Sequence, residues 1–176
     1  HNLNPRLFSE QLIYIINHAN DKILIIDLDL VPIIEKIILD CPNVEKLVIL
    51  CSKADLPSTK FSEVISYEEL LSMGSENFEW IKGEETDACG ICYTSGTTGN
   101  PKGVVYTHRS NTLHALTQAA PDMLNLSSTD TIMPVVPLFH ANGWSIAYTA
   151  PLVGSSIVFP GGDLSPSSLY DMLESG

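Results

Sequence analysis

The chain has 176 residues, 44% of them hydrophobic, and a formal net charge of −12 from 21 acidic and 9 basic residues. A chain of this length can bury roughly 70% of its unfolded surface around one core. No apolar run reaches the roughly 18–20 residues that a membrane span needs, and the acidic excess argues against a nucleic-acid partner, which would need clustered Lys and Arg. Composition therefore predicts a soluble globular chain without a transmembrane segment, expected in the cytoplasm.

Helical and strand-like patterns alternate in the first fifty residues. Apolar residues recur at helical spacing in residues 7–18, with Ser9 as a candidate cap, and again in residues 31–39. Short apolar runs at 22–27 and 47–51 predict buried strands. This order predicts a parallel sheet covered by helices.

The middle of the chain, residues 52–86, is polar and acidic, with a short helical patch at 67–73. We interpret it as an excursion over the surface. From Cys89 onward the pattern predicts a strand, a glycine-rich loop, a second strand and a helix. Further strands are predicted at 131–136 and 156–159, and further helices at 111–120 and 167–174.

Cys89 and Cys92 form a C-x-x-C pair, which could indicate zinc or redox chemistry. They lie in residues 88–93, which read as a buried strand, and residues three apart on a strand face opposite sides. The two thiols should therefore diverge. We expect structural, reduced cysteines and a reducing compartment.

Residues 93–103 read Y-T-S-G-T-T-G-N-P-K-G, with four Ser or Thr hydroxyl side chains, three glycines and one lysine. Glycines permit positive φ, hydroxyls and free N–H groups build an anion-binding concavity, and Lys102 adds a charge able to reach terminal phosphates. A Walker A loop needs G-x-x-x-x-G-K-[S/T] before a helix, whereas Gly103 and a strand-like run follow Lys102. Composition alone leaves a phosphate loop and a flexible hairpin loop both open.

Residues 94–103 resemble the phosphate-loop signature T-S-G-T-T-G-x-P-K-G of the adenylate-forming (AMP-binding) superfamily, which holds acyl-CoA synthetases, aryl-CoA ligases, luciferases and peptide-synthetase adenylation domains. V-V-Y-T-H-R at 104–109, N-L-N-P-R-L at 2–7 and P-L-F-H-A-N-G-W at 137–144 are similar to the medium- and long-chain fatty acyl-CoA synthetase branch. The resemblance implies an α/β fold with parallel-rich sheets flanked by helices, part of the N-terminal domain of an acyl-CoA synthetase-like fold.

The same resemblance implies a division of the chain. Residues 1–86 would be an α/β segment, 87–107 a strand–phosphate loop–strand unit, and 108–176 an α/β segment with the acyl-pocket motif. The family's adenine-binding segment, ribose-binding Asp, late catalytic Lys and small C-terminal domain have no counterpart in these residues. We therefore expect an internal piece of a longer enzyme, inactive by itself.

The chemistry implied by the resemblance is ATP-dependent activation of a fatty acid to acyl-AMP and then acyl-CoA, with Mg²⁺ as metal and CoA as co-substrate. By similarity, Thr94 is the expected Mg²⁺ contact, and Lys102 and His140 are the expected catalytic residues. The β- and γ-phosphates would be held by the loop residues Ser95, Gly96, Thr97, Thr98, Gly99 and Lys102.

The acyl-pocket motif adds two expectations. Amino-acid-activating relatives carry Asp where His140 stands, which argues against an amino-acid substrate, and Ala141 is expected to line the adenylate pocket through its backbone. Trp144 is expected to gate an acyl tunnel near the nucleotide, with core packing as the alternative. His108 and Arg109 are expected at a capped, solvated helix start, with phosphate contact as the alternative.

Other functions remain open at this point. Aryl-CoA ligases and luciferases also carry histidine at the position of His140, so either type of adenylating enzyme is an alternative. A non-catalytic nucleotide-binding module is the alternative from another class. A homodimer is possible.

Overall fold

The computed structural model describes residues 1–94 and 99–175. These residues divide into two compact units. The first unit contains residues 3–82, 93–94 and 99–103, and the second contains residues 1–2, 83–92 and 104–175.

The first unit is a small parallel α/β arrangement. Its helices and strands are α1 (Ser9–Ala19), β1 (Ile23–Asp27), α2 (Val31–Ile37), β2 (Lys46–Leu50), β3 (Val64–Ser66) and α3 (Tyr67–Ser72). Short 3₁₀ turns follow β1, α2 and β2, at Leu28–Leu30, Ile38–Asp40 and Lys53–Asp55.

The three strands form one sheet in the order β1-β2-β3, and both pairings are parallel. Leu24 pairs with Leu47, which in turn pairs with Val64. The predicted parallel sheet is confirmed. The prediction of a surface excursion for 52–86 missed β3, because a three-residue strand is too short to show a period of two.

The core of this unit is aliphatic. Ile16 of α1, Ile37 of α2, and Leu47 and Ile49 of β2 are each at most 1% exposed. Cys41 is buried beside them, and burial, with the charges of Asp40 and Asp21, raises the pKa of its thiol to about 11. This thiol is therefore neutral and structural, as expected.

The start of α1 differs from the prediction. Ser9 is the first helical residue rather than the cap, and Phe8 precedes it in extended conformation. The Phe8 amide donates to Gln11 Oε1 at 3.3 Å, so a side chain in the first turn of the helix satisfies the amide of the residue that precedes the helix. Asn20 ends the helix in the left-handed region, with φ of 58°.

The rest of the chain begins with two paired strands, β4 (Ala88–Thr94) and β5 (Lys102–Thr107). The later elements are α4 (His108–Ala119), β6 (Thr131–Ile132), α5 (Ala141–Trp144), α6 (Ile146–Val153), β7 (Ser156–Ile157) and α7 (Pro166–Ser175). β6 and β7 pair in parallel but are two residues each, shorter than the predicted strands at 131–136 and 156–159. Among the described residues, no helix is long and apolar enough to cross a membrane.

The predicted buried strand at 88–93 is only partly buried. Cys92 is buried whereas Ala88 and Cys89 are exposed. The two thiols of the C-x-x-C pair thus differ in burial, as opposite faces of a strand require, and both are free. The apolar run predicted the strand correctly, but burial depends on what packs against each face.

Candidate functional site

The described ends of the glycine-rich loop lie on β4 and β5. Thr94 is the last residue of β4 and Lys102 is the first of β5. The Thr94 hydroxyl donates to the Lys102 carbonyl at 3.4 Å, which joins the two strands at the base of the loop. Ser95, Gly96, Thr97 and Thr98 lie outside the described residues, so their predicted phosphate contacts stay predictions.

Lys102 is the basic group of this site. Its side chain is exposed, and it forms no ion pair with any residue that the structure describes. Several other lysines are engaged by carboxylates; Lys46, for example, lies 2.9 Å from Glu63. An unpaired ammonium beside a glycine-rich loop can bind an anion without first breaking a salt bridge.

Gly99 shows why the loop needs glycine. Its φ is +115°, a conformation that L side chains rarely adopt, yet an added Cβ would meet no atom of the described residues within 4 Å. The backbone conformation, and not crowding, therefore requires glycine here. Gly99 is also exposed, so a ligand can approach its backbone.

The donors described at this loop suit a triphosphate with Mg²⁺. They comprise one ammonium, one hydroxyl and an accessible glycine backbone. Mg²⁺ keeps several waters and takes oxygen from phosphates, so a single protein oxygen such as that of Thr94 is enough to contact it.

Tyr93, immediately before Thr94, is anchored to α1. Its hydroxyl lies 2.7 Å from His18 Nδ1, and the two rings meet edge to face at 5.8 Å. His18 also stacks on Tyr14 at 5.3 Å. Burial, then the charges of Asp21 and Tyr14, raises the pKa of Tyr93, so its phenol stays neutral. His18 is therefore engaged by two aromatic rings, and its contact with Tyr93 holds the strand end that carries Thr94.

The start of α4 is capped, as predicted. Thr107 Oγ1 accepts from the Ser110 amide at 3.1 Å, and Ser110 Oγ accepts from the Thr107 amide at 2.9 Å. Arg109 lies 2.6 Å from Glu85, and this hydrogen bond lowers the pKa of the Glu85 carboxyl. The guanidinium is therefore engaged by a carboxylate, which weakens the alternative of a phosphate contact.

The acyl-pocket motif contains an unusual backbone turn. Five consecutive residues have positive φ: Ala141 (43°), Asn142 (54°), Gly143 (61°), Trp144 (59°) and Ser145 (59°). A left-handed conformation costs a non-glycine residue roughly 1–2 kcal/mol. We call these residues, 141–145, the left-handed turn; surrounding contacts must hold it in place.

Within the left-handed turn, only Gly143 is glycine. A Cβ at this position would lie 2.9 Å from Leu138 Cδ2. The His140 carbonyl accepts from the Gly143 amide at 2.9 Å and from the Trp144 amide at 3.4 Å. His140 is exposed and lies at the start of the turn, so its predicted catalytic role stays a prediction.

Trp144 is 59% exposed. Most of its surface is therefore not packed against the described residues, and the choice between a gate and core packing stays a prediction for the full-length protein. Trp144 and Ala141 line a cavity of about 450 Å³, together with Ser110, His114 and Gln118 of α4. This cavity lies in the second unit, whereas Thr94 and Lys102 belong to the first.

A buried polar pair, missed in the sequence, supports the left-handed turn. Gln118 is 7% exposed and Thr149 is fully buried. Thr149 Oγ1 donates to Gln118 Oε1 at 2.6 Å, and Gln118 Nε2 donates to the Trp144 carbonyl. The sequence contained a signal for buried polar groups in α4. Asn111, Ala115 and Gln118 follow helical spacing, so they share one face of the helix, and two of these three buried residues are polar.

The family model for AMP-binding enzymes matches residues 1–175. The chain belongs to the AMP-binding enzyme family. It is 47% identical, over 175 residues, to a medium-chain-fatty-acid–CoA ligase of Ectopseudomonas oleovorans; the match covers 99% of this chain and 32% of that protein. It is 41% identical, over 174 residues, to a 3-methylmercaptopropionyl-CoA ligase of Ruegeria pomeroyi, with the same coverage.

Solved structures agree with this assignment. A long-chain-fatty-acid-CoA ligase from Archaeoglobus fulgidus superposes with a TM-score of 0.77 at 29% identity, over 98% of this chain and 32% of that one. The predicted α/β fold of this AMP-binding family member is thereby confirmed. The chain spans about a third of the length of the relatives that it matches.

Proposed function

We propose that this chain is part of an ATP-dependent acid–thiol ligase that activates a fatty acid as acyl-AMP and transfers the acyl group to CoA. The observation that carries the proposal is the exposed Lys102, without an ion-pair partner among the described residues, beside Thr94 and Gly99 in an AMP-binding family member. In the first step a carboxylate oxygen bonds to the α-phosphorus of ATP and pyrophosphate leaves. In the second, the sulfur of CoA attacks the acyl carbonyl and AMP leaves.

Each residue of the loop has a role in this proposal. Lys102 and the residues from Ser95 to Gly99 hold the β- and γ-phosphates, and the hydroxyl of Thr94 contacts Mg²⁺, which when bound neutralises phosphate charge. Positioning and charge neutralisation supply most of the rate enhancement in such a transfer. The anchored phenol of Tyr93 keeps the strand end that carries Thr94 in place.

A fatty acid is the proposed substrate class. Support comes from the 47% identity to a medium-chain-fatty-acid–CoA ligase and from the cavity beside Trp144 and Ala141. In this proposal Ala141 lines the adenylate pocket, Trp144 gates the acyl group and His140 takes part in catalysis. A short thioether acid is a second candidate, because the 3-methylmercaptopropionyl-CoA ligase is 41% identical over almost the whole chain.

Acid-dependent ATP–pyrophosphate exchange by the full-length protein tests the proposal. The acids are octanoate, palmitate, 3-methylmercaptopropionate, benzoate and leucine. We expect exchange with octanoate or palmitate and none with leucine. Exchange confined to the thioether acid would replace the fatty-acid assignment, exchange confined to benzoate would indicate an aryl-CoA ligase, and exchange with none would support a non-catalytic nucleotide-binding module.

A separate proposal concerns residues 1–176 alone. These residues match about a third of the length of their relatives, and we propose that alone they form no acyl-CoA. Thioester formation by the purified 176-residue chain would contradict this. The three-segment division at 86/87 and 107/108, a homodimer and a cytoplasmic location stay proposals of the same standing.

A further inference from the structure

The left-handed turn has few bonds of its own. Its internal hydrogen bonds run from the Gly143 and Trp144 amides to the His140 carbonyl and from the Ser145 amide to the Ala141 carbonyl. A run of left-handed residues without glycine at most positions is unfavourable by itself. Contacts from outside the turn must therefore select this conformation.

Gln118 and Thr149 supply such contacts from two different helices. Gln118 lies on α4 and Thr149 on α6, and both side chains are more than nine-tenths buried. Gln118 Nε2 donates to the carbonyl of Trp144, while Thr149 Oγ1 donates to Gln118 Oε1 at 2.6 Å and lies 3.1 Å from the Ser145 carbonyl. The pair thus supplies the side-chain donor to the Trp144 carbonyl, whereas the Ser145 carbonyl already accepts from the Tyr148 and Thr149 amides at 2.9 Å.

The orientation of the Gln118 amide is set by this arrangement. Its oxygen accepts from Thr149, so its nitrogen faces the Trp144 carbonyl. Removing the Thr149 hydroxyl would leave a buried amide oxygen without a donor, which favours rotation of the amide or entry of water. In either case the Trp144 carbonyl loses its fixed donor.

We propose that Gln118 and Thr149 are positioning residues that hold the left-handed turn and thereby set where the Trp144 indole lies in the cavity that it lines with Ala141. Gln118, Ala141 and Trp144 line the same cavity of about 450 Å³, so a change in the turn changes the cavity wall. The consequence for acyl selection rests on the proposed function; the consequence for the turn does not.

The test compares two threonines of the full-length protein. Thr117 Oγ1 donates to the carbonyl four residues earlier, Leu113, at 2.8 Å, and Thr149 has the matching contact with Ser145. Only Thr149 also donates to Gln118. Thr117→Val is therefore the matched control for Thr149→Val, and Thr149→Ser keeps the hydroxyl.

Hydrogen exchange of the peptide spanning residues 140–146, followed by mass spectrometry, reports on the turn directly. We expect exchange about tenfold faster in Thr149→Val and in Gln118→Met. Thr117→Val and Thr149→Ser should match the unchanged protein. Thr149→Val and Gln118→Met break the same linked contact. The double variant should therefore exchange no faster in this peptide than either single variant.

The proposal is overturned if Thr149→Val exchanges in this peptide no faster than Thr117→Val. It is also overturned if α4 and α6 accelerate as much as the turn, or if the two single effects add. The steady-state readout is KM for octanoate and for palmitate: in Thr149→Val we expect their ratio to shift about threefold or more, with KM for ATP unchanged. If the unchanged protein activates no fatty acid, the proposed function fails, whereas the exchange data still decide whether the pair holds the turn.

Discussion

In the unit built on β1, β2 and β3, the buried side chains are almost all aliphatic, and Ser66 is the one buried polar residue among those described. The unit that contains α4 and α6 is different. Among its described residues, the polar Asn111, Gln118 and Thr149 are buried together with the apolar Cys92, Ala115, Pro134, Ile146 and Ala150. One interior is almost entirely apolar, whereas the other contains hydrogen-bonded polar side chains among its apolar ones.

This difference separates stability from specificity. Apolar burial is roughly proportional to area and tolerates small shifts, whereas a buried hydrogen bond is satisfied in few geometries. The aliphatic unit should therefore respond to substitution mainly by losing stability. The polar interior should respond mainly by losing one particular conformation, that of the left-handed turn.

The largest expected effect on stability is in the aliphatic unit. Ile37 is fully buried in the core, and Ile37→Ala should lower the free energy of opening of the β2 amides by about 2–5 kcal/mol in native-state hydrogen exchange. Leu39→Ala, two residues away and 71% exposed, is the control and should change it by less than about 0.5 kcal/mol. Equal effects of the two would contradict the view that the buried aliphatic side chains stabilise this unit.

A second prediction concerns the phosphate loop. A charge-assisted hydrogen bond contributes about 1.5–3 kcal/mol, so Lys102→Ala should slow adenylate formation roughly 10- to 100-fold in pyrophosphate exchange. Starting from synthetic acyl-AMP, thioester formation should be far less affected, because phosphate binding is no longer needed. Lys82→Ala, also at an exposed lysine without an ion pair among the described residues, should have no effect. Equal losses in both half-reactions would contradict the role given to Lys102.

The smallest expected change in stability is at Trp144. Because its indole is 59% exposed, Trp144→Ala should change the free energy of opening by less than about 0.5 kcal/mol. Chain-length preference, measured as kcat/KM across a fatty-acid series, should nevertheless change, and fatty-acid binding should depend less on ATP. Trp80→Ala, at a residue 86% exposed, is the control and should change neither the chain-length preference nor the dependence of fatty-acid binding on ATP.

An opposite outcome at Trp144 would be informative. If Trp144→Ala lowered the free energy of opening by several kcal/mol and kept the original chain-length profile, the indole would be packed in the full-length protein. The polar interior of this unit would then support stability rather than substrate choice.

Local patterns predicted much of the fold. The βαβ order, the helices and the loop between β4 and β5 follow from short-range periodicity and from turn residues. β3 was missed because three residues carry no period, and Ser9 was assigned as a cap because the Gln11 contact with the Phe8 amide cannot be read from residue type alone. The predictions about the loop's chemistry rested on residue types that are adjacent in sequence.

The amino-acid sequence by itself determined the family, because a contiguous run from Thr94 to Gly103 carries its signature; the phosphate-binding chemistry of that run stays a prediction. Only the tertiary structure decided that Cys89 and Trp144 are exposed and that residues 141–145 turn left-handed. It also paired Gln118 with Thr149, 31 residues further along the chain. Exposure and hydrogen-bond pairing depend on which elements pack together, and no local pattern of residue types contains that information.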